Sequence, residues 1–134
     1  MEKPAILVIG GAGYIGSHMV LDLLRAGYPV VTLDDLSRGH RELVPGGDFV
    51  EGDMGDPALL ETVFSQHSIS AVIHFAAHSQ VGESVQQPLM YYRNNVANTN
   101  TLLESMQQSG IKHYIFSSNA AVYGEPERKP IKKQ

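Results

Sequence analysis

A glycine-rich turn between an apolar run and a helical pattern is the feature that most constrains the fold of this chain. The run Ala5-Ile6-Leu7-Val8-Ile9 leads directly into Gly10-Gly11-Ala12-Gly13-Tyr14-Ile15-Gly16. Short apolar runs rich in β-branched residues are typical of buried parallel strands. Beyond the glycines, apolar residues recur at helical spacing, at Ile15, Met19, Val20, Leu23 and Leu24. The predicted local order is therefore strand, glycine turn, helix.

The spacing of the glycines fits two related dinucleotide-binding loops. G-x-G-x-x-G starts at Gly11, and the looser G-x-x-G-x-x-G starts at Gly10. In such loops the first glycine permits a tight turn, the middle one lets the backbone approach a pyrophosphate, and the last lets the helix pack on the strand. The positive end of the following helix faces the phosphates. Because similar turns without a ligand are common, the motif needs support from its context.

A carboxylate after the second predicted strand supplies that support. The strand Pro29-Val30-Val31-Thr32-Leu33 ends at Asp34, 18 residues after Gly16. A carboxylate at this place accepts hydrogen bonds from both hydroxyls of an adenosine ribose, although Asp34 and Asp35 could also simply cap a loop. Both carboxylates would repel a 2′-phosphate at close range. The pattern therefore predicts dinucleotide binding, with NAD favoured over NADP.

Composition limits the remaining classes of protein. The chain has 134 residues, of which 43% are hydrophobic, and this suits a single domain over residues 1–134 with a loop tail at 124–134. Ten basic residues against 14 acidic ones give a net charge of −4, which argues against a nucleic-acid surface. No apolar stretch approaches the about 18 residues that span a bilayer, so we expect no membrane partner and a cytoplasmic location.

No metal site is predicted. The chain contains no cysteine, which excludes disulfides and thiolate ligands. His74 and His78 lie four residues apart, a spacing that binds metal on a helix. Here the spacing spans the end of a predicted strand, which would separate the two rings.

The rest of the chain continues the alternation of strands and helices. The predicted segments are a third strand at Phe49–Asp53, a helix starting at Asp56-Pro57, a fourth strand at Ala71–Ala77, a helix from Pro88 to Gly110 and a fifth strand at Lys112–Phe116. Asp53, at a strand end, either contacts the adenine amino group or only terminates the strand. Asn94, Asn95, Asn98 and Asn100 either cover a solvent face, or one of them reaches the ligand crevice. We predict a Rossmann-like doubly wound parallel sheet in the order 3-2-1-4-5.

Seven sequence stretches together resemble one enzyme family in order over nearly the whole chain. They are Gly-Gly-Ala-Gly-Tyr-Ile-Gly-Ser-His, Leu-Asp-Asp-Leu-Ser, Glu-Gly-Asp, Val-Ile-His-Phe-Ala-Ala, Val-Gly-Glu-Ser-Val, Tyr-Tyr-Arg-Asn-Asn-Val and Phe-Ser-Ser-Asn-Ala-Ala-Val-Tyr-Gly. The set resembles the UDP-glucose 4-epimerases, which are extended short-chain dehydrogenases/reductases. In that family a tightly held NAD takes a hydride from carbon 4 of a UDP-hexose and returns it to the other face.

The resemblance implies a role for each matching residue. It places the pyrophosphate against Gly10, Gly13, Tyr14, Ile15 and Gly16, the adenosine ribose against Asp34, and the adenine against Asp53 and Met54. It places the second ribose and the nicotinamide among Phe75, Ala76, Ala77, Ser79, Asn94 and Ser117. The family's catalytic serine or threonine position is Asn119 here. An amide forms hydrogen bonds but has no hydroxyl that relays a proton.

The chain also lacks part of the family pattern. No tyrosine stands four residues before a lysine, and that pair is the family's acid–base pair. Neither a sixth strand nor a sugar-binding part is present. We therefore expect an amino-terminal part of an epimerase, truncated before the sixth strand and inactive by itself, with a UDP-hexose as substrate of the full-length protein. We also expect homodimerisation, or self-association through the exposed fifth strand.

Two other functions stay open on the sequence. Sugar-nucleotide dehydratases need a carboxylic acid pair just after the fifth strand, where Ala120-Ala121 stand, so epimerisation leads. Related decarboxylases and reductases are not separated by this argument. A non-catalytic NAD-binding module would also match, because the tyrosine–lysine pair is missing.

Overall fold

The computed structural model describes residues 3–37, 39–75, 88–89 and 96–117. The strands are β1 (Ala5–Ile9), β2 (Val30–Asp34), β3 (Asp48–Glu51), β4 (Ile69–His74) and β5 (His113–Phe116). The helices include α1 (Tyr14–Arg25), α2 (Pro57–Gln66) and α3 (Asn98–Gln108), and a 3₁₀ turn covers Arg41–Leu43. The five strands are parallel in the order β3-β2-β1-β4-β5. The predicted fold and strand order are confirmed.

Several strand limits differ from the sequence prediction, and strand pairing accounts for two of them. β3 ends at Glu51 rather than Asp53, because its partner β2 ends at Asp34, the residue in register with Glu51. β4 begins at Ile69 rather than Ala71, because Ile69 already pairs with Ala5 of β1. Strand pairing, which a single strand's composition does not reveal, sets both limits.

Local signals explain the helix limits. α1 ends at Arg25, and Gly27 follows with φ +89°, a left-handed backbone that glycine adopts without steric cost. At the start of α2, the Asp56 side chain accepts hydrogen bonds from the backbone N–H groups of Ala58 (3.1 Å) and Leu59 (3.4 Å). Pro57 occupies the first helical position, where no N–H is needed. The predicted end of α1 and start of α2 are confirmed.

The second half of the predicted Pro88–Gly110 helix is α3, and Gly110 ends it with φ +75°. Asn94 and Asn95 lie outside the described residues. Asn98 is half-buried against the loop after β3, since a Cβ on Gly55 would overlap its amide group. Asn100 is exposed. The two described asparagines therefore have different surroundings, one packed and one in solvent.

The core has one layer on each face of the sheet. On one face, α2 and α3 pack on the strands through residues including Leu7, Leu33, Leu60, Leu102 and Met106. On the other face, α1 packs through residues including Val8, Val20 and Val30. Successive residues of a strand point to opposite faces of the sheet. Because helices cover both faces and both layers are apolar, the strands are nearly continuous apolar runs. Of the helices described, none has the length and apolar character needed to cross a membrane.

One histidine lies inside the first of these layers. His74 is fully buried, and its Nδ1 forms a hydrogen bond of 2.7 Å with the Tyr114 hydroxyl. Its ring also packs edge-on against Phe116, with centroids 5.3 Å apart. Burial lowers the pKa of His74 from 6.5 to about 4 and raises the pKa of Tyr114 to about 12, because both charged forms lose hydration. Both side chains are therefore neutral at pH 7.

Acid should destabilise this fold through His74. The unfolded state takes up a proton near pH 6.5 and the folded state only near pH 4, so the unfolded state binds more protons between these values. The free energy of unfolding should fall on acidification across that window, by at most about 3 kcal/mol from this group. Urea unfolding at a series of pH values measures this change in the free energy of unfolding.

The variant His74→Leu should flatten the slope between pH 6.5 and pH 4. His113→Gln is the matched control, because it removes an exposed histidine of β5 and leaves His74 in place. An unchanged slope in His74→Leu would contradict this explanation.

Candidate functional site

The predicted site segments meet at one edge of the sheet, beyond the carboxyl ends of the strands. Backbone hydrogen bonds extend the pairing past the strand ends: Gly10 N–H donates to Leu33 O (2.8 Å), and Phe75 N–H donates to Ile9 O (2.7 Å). Ser117 N–H donates to His74 O (3.1 Å). The exits of β1, β4 and β5 are thereby fixed relative to one another, as ligand crevices of such sheets require.

The fold itself requires three of the glycines in the turn after β1. Gly10 has φ +85°, which favours glycine. A Cβ on Gly11 would lie 2.6 Å from Thr32 Cγ2, and a Cβ on Gly16 would overlap the carbonyl oxygen of Gly10. These glycines let α1 and β2 approach the turn closely, whether or not a ligand binds.

Gly13 is different, because the protein has room for a side chain there. Its φ is −81°, and a Cβ would lie 3.4 Å from Gly10 O, an ordinary contact. Gly13 caps α1 without a side-chain hydrogen bond, and the first turn carries no acidic residue. Within the described part of the chain, the N–H groups of Tyr14, Ile15 and Gly16 have no hydrogen-bond partner. Open space and unpaired donors together suit a phosphate.

Asp34 lies beside this turn and is held by it. The side chain is 9% exposed. Its Oδ2 accepts a hydrogen bond from Ala12 N–H (3.0 Å), and its Oδ1 accepts one from Leu36 N–H (2.8 Å). Each carboxylate oxygen has two acceptor positions, so one on each oxygen is left for a ligand. A vicinal diol supplies two donors of matching spacing.

Sequence reasoning missed two residues that position Asp34. Ala12 is fully buried, donates its N–H to Asp34 and accepts a hydrogen bond from His40 N–H through its carbonyl (2.9 Å). Leu36 has φ +63°. Both act through the backbone, so their residue types carry no signal. Gly39, which precedes His40, is a residue type that could have indicated a close approach here. A Cβ on Gly39 would lie 2.8 Å from Ala12 O.

The other described residues expected at the site differ in exposure. Tyr14 and Ile15 are 76% and 63% exposed at the start of α1, so both side chains face solvent beside the glycine turn. Asp53 is exposed beyond the end of β3, and its Oδ1 accepts a hydrogen bond from Gly55 N–H (2.8 Å). Met54 is buried in the core, with 5% of its surface exposed.

Phe75 and Ser117 are half-buried at the exits of β4 and β5. The remaining predicted positions lie outside the described residues: Ala76, Ala77, His78, Ser79, Asn94 and Asn119. The described ranges contain no group of three or more histidine, cysteine or acidic side chains that could hold a metal ion. What the described geometry offers is binding chemistry, namely a diol acceptor next to an anion site. This arrangement fits the adenosine and pyrophosphate portions of NAD.

The chain is similar in sequence and fold to several UDP-glucose 4-epimerases. The chain is 55% identical over 129 residues to the UDP-glucose 4-epimerase of Halalkalibacterium halodurans, covering 96% of this chain and 39% of that relative. It matches the structure of UDP-glucose 4-epimerase from Brucella ovis in complex with NAD, with TM-score 0.88, 48% identity and coverage of 96% of this chain and 39% of that one. The Bifidobacterium longum enzyme in complex with NAD⁺ and UDP gives TM-score 0.87 and 39% identity, over 97% of this chain and 41% of that one.

The chain thus spans about two fifths of the length of the relatives it matches. Over residues 6–134 it also matches the model of an NAD-dependent family whose members include epimerases and dehydratases. All of β1 except Ala5, the glycine turn, α1 and Asp34 fall within that match. The chain therefore belongs to the NAD dependent epimerase/dehydratase family.

Proposed function

We propose that this chain forms the NAD-binding part of a UDP-glucose 4-epimerase, which interconverts UDP-glucose and UDP-galactose. The observation that carries the binding role is the nearly buried Asp34 carboxylate, hydrogen-bonded to the glycine turn with one acceptor position left on each oxygen. The relatives' names support the reaction and the UDP-hexose substrate. When bound, NAD would supply a hydride acceptor for carbon 4 of the sugar.

The residues of the chain divide this task by position. Gly10, Gly13, Tyr14, Ile15 and Gly16 would bind the pyrophosphate, chiefly through backbone N–H groups at the start of α1. Asp34 would accept from the adenosine ribose, and Asp53 with the Met54 backbone would contact the adenine. Phe75, Ala76, Ala77, Ser79, Asn94 and Ser117 would surround the second ribose and the nicotinamide. Asn119 would stand beside the substrate hydroxyl, where an amide orients but does not relay a proton.

A non-catalytic NAD-binding module is the second candidate. It is favoured by one observation, namely that no tyrosine in these 134 residues stands four positions before a lysine. Both candidates use the same NAD site. Reading the encoding DNA past residue 134 separates them, because a Tyr-x-x-x-Lys sequence further along would supply the acid–base pair of the epimerase.

Cofactor preference tests the proposed role of Asp34. A 2′-phosphate would meet a nearly buried carboxylate, so we expect NAD to bind more tightly than NADP by at least roughly 1–3 kcal/mol. Calorimetric titration with both dinucleotides measures the difference. Asp34→Ala should narrow the difference in affinity between NAD and NADP. Asp35→Ala should change that difference less, because Asp35 is exposed and its carboxylate accepts hydrogen bonds from Ser37. Equal affinities in the unmutated chain would remove Asp34 from this role.

The two glycines at the start of α1 should respond differently to alanine. Gly13→Ala should leave the free energy of unfolding nearly unchanged but weaken NAD binding roughly tenfold, about the value of one charge-assisted hydrogen bond. Gly16→Ala should lower the free energy of unfolding by roughly 1–3 kcal/mol through overpacking against Gly10. Thermal unfolding and calorimetry distinguish the two effects. Loss of stability in Gly13→Ala with unaltered binding would contradict the proposal.

The outer edge of β5 should make the chain self-associate. Within the described residues β5 pairs with β4 alone, and Ile115 and Phe116 are 58% and 47% exposed. Strand edges of this kind pair readily with other chains. We expect sedimentation to give a dimer or larger species, and Ile115→Lys to reduce it. Leu43→Lys, at an exposed apolar residue away from the edge, is the control. A monomer before mutation would refute association through β5.

A further inference from the structure

Leu36 has a backbone conformation that leucine rarely adopts. Of the non-glycine residues described, it alone has a positive φ, +63°. Such conformations are mostly found at asparagine, aspartate and histidine, and a leucine side chain offers no local hydrogen bond in compensation. Strained residues persist only where the surrounding structure holds them, and they cluster at functional sites. The place of Leu36, two residues after Asp34, is therefore informative.

The Leu36 N–H belongs to the peptide unit just before this left-handed torsion, and it donates to the candidate ribose acceptor. That N–H donates to Asp34 Oδ1 at 2.8 Å, while Ala12 N–H donates to Oδ2 at 3.0 Å. The terminal torsion of an aspartate side chain is otherwise broad. Two donors, one on each oxygen, fix the plane of this carboxylate. Without the Leu36 donor the group could turn about its hydrogen bond to Ala12.

Hydrogen bonds to neighbouring strands fix the backbone of Asp34, so the turn that contains Leu36 is the part that can vary in how it meets the carboxylate. Asp34 O accepts a hydrogen bond from Gly52 N–H (3.1 Å), and the preceding carbonyl, of Leu33, accepts one from Gly10 N–H. These bonds anchor Asp34 in the sheet, between β1 and the exit of β3. The chain after Asp34 is tied back to this end of the sheet by the Leu36 N–H on the carboxylate and, further along, by the His40 N–H on Ala12 O (2.9 Å). The left-handed torsion of Leu36 lies between these two attachments and lets the chain make both.

We propose that the left-handed backbone of Leu36 is a specificity-determining element that sets Asp34 for a vicinal diol and against a phosphate ester. It does so in two ways. The fixed carboxylate presents one free acceptor position on each oxygen, which matches two hydroxyl donors. The Leu36 N–H is also consumed by Asp34, so it is not available as a donor to a 2′-phosphate. This proposal rests on the proposed binding of NAD.

A matched pair of variants tests it on the full 134-residue chain. Leu36→Val keeps an apolar side chain but disfavours a positive φ, because valine is β-branched. Leu36→Gly removes the side chain but retains the N–H and permits the same φ. Calorimetry with NAD and with NADP gives the affinity ratio for each protein. A general loss of structure would weaken both dinucleotides alike and leave that ratio unchanged.

We expect Leu36→Val to lower the NAD-to-NADP affinity ratio roughly threefold to tenfold, the effect of one net hydrogen bond. Leu36→Gly should stay close to the ratio of the unmutated chain. An equal loss in both variants would show that the leucine side chain, not its backbone, matters, and would overturn the proposal. An unchanged ratio in a Leu36→Val protein that unfolds as cooperatively as the unmutated chain would also overturn it.

Amide hydrogen exchange gives a second test that does not need a folded Leu36→Val. The Leu36 amide should exchange at least roughly tenfold more slowly in the unmutated chain than in Asp34→Ala, since the carboxylate is its acceptor. Equal exchange rates would overturn the proposal. Failure of the unmutated chain to bind NAD would instead count against the proposed function, while the exchange result would still report on the Leu36 hydrogen bond.

Discussion

The carboxylate of Asp34 is the interaction on which the ligand end of the sheet depends. A nearly buried charge is costly unless hydrogen-bond donors surround it, and here both donors are backbone N–H groups from the turns after β1 and β2. The same contacts place the glycine turn against the end of β2. The residues that satisfy the charge therefore also shape the candidate crevice.

Sequence reasoning reached the fold and pointed to the candidate site residues for a physical reason. Buried parallel strands, positive-φ glycines and a carboxylate at a strand end each leave a mark in residue type, so β1, α1, Gly10 and Asp34 were all predictable. Spacing predicted different roles for Gly13 and Gly16, but what a Cβ would meet at each position is visible only in the structure. Ala12 and Leu36 act through backbone atoms that every residue shares, and so leave no such mark.

His74 illustrates a different limit. Beside His78 it suggested a metal pair that its strand context made unfavourable, and its burial against Tyr114, 40 residues away, was not visible in the sequence. The side chain instead fills the apolar layer beneath the exits of β4 and β5. The carboxyl ends of these strands thus have a titratable group in the core below them. Protonation of His74 in acid would therefore place a charge in the core directly beneath the candidate site.

Asp34 accepts hydrogen bonds from two backbone amides and is also the candidate ribose acceptor, and this combination limits redesign. An engineer who wishes to change the dinucleotide that such a protein accepts would naturally replace the acid after β2. In this chain that replacement also leaves the amides of Ala12 and Leu36 without their acceptor. A successful exchange would have to supply a new acceptor for both amides, so it should require several coordinated substitutions in the two turns rather than one.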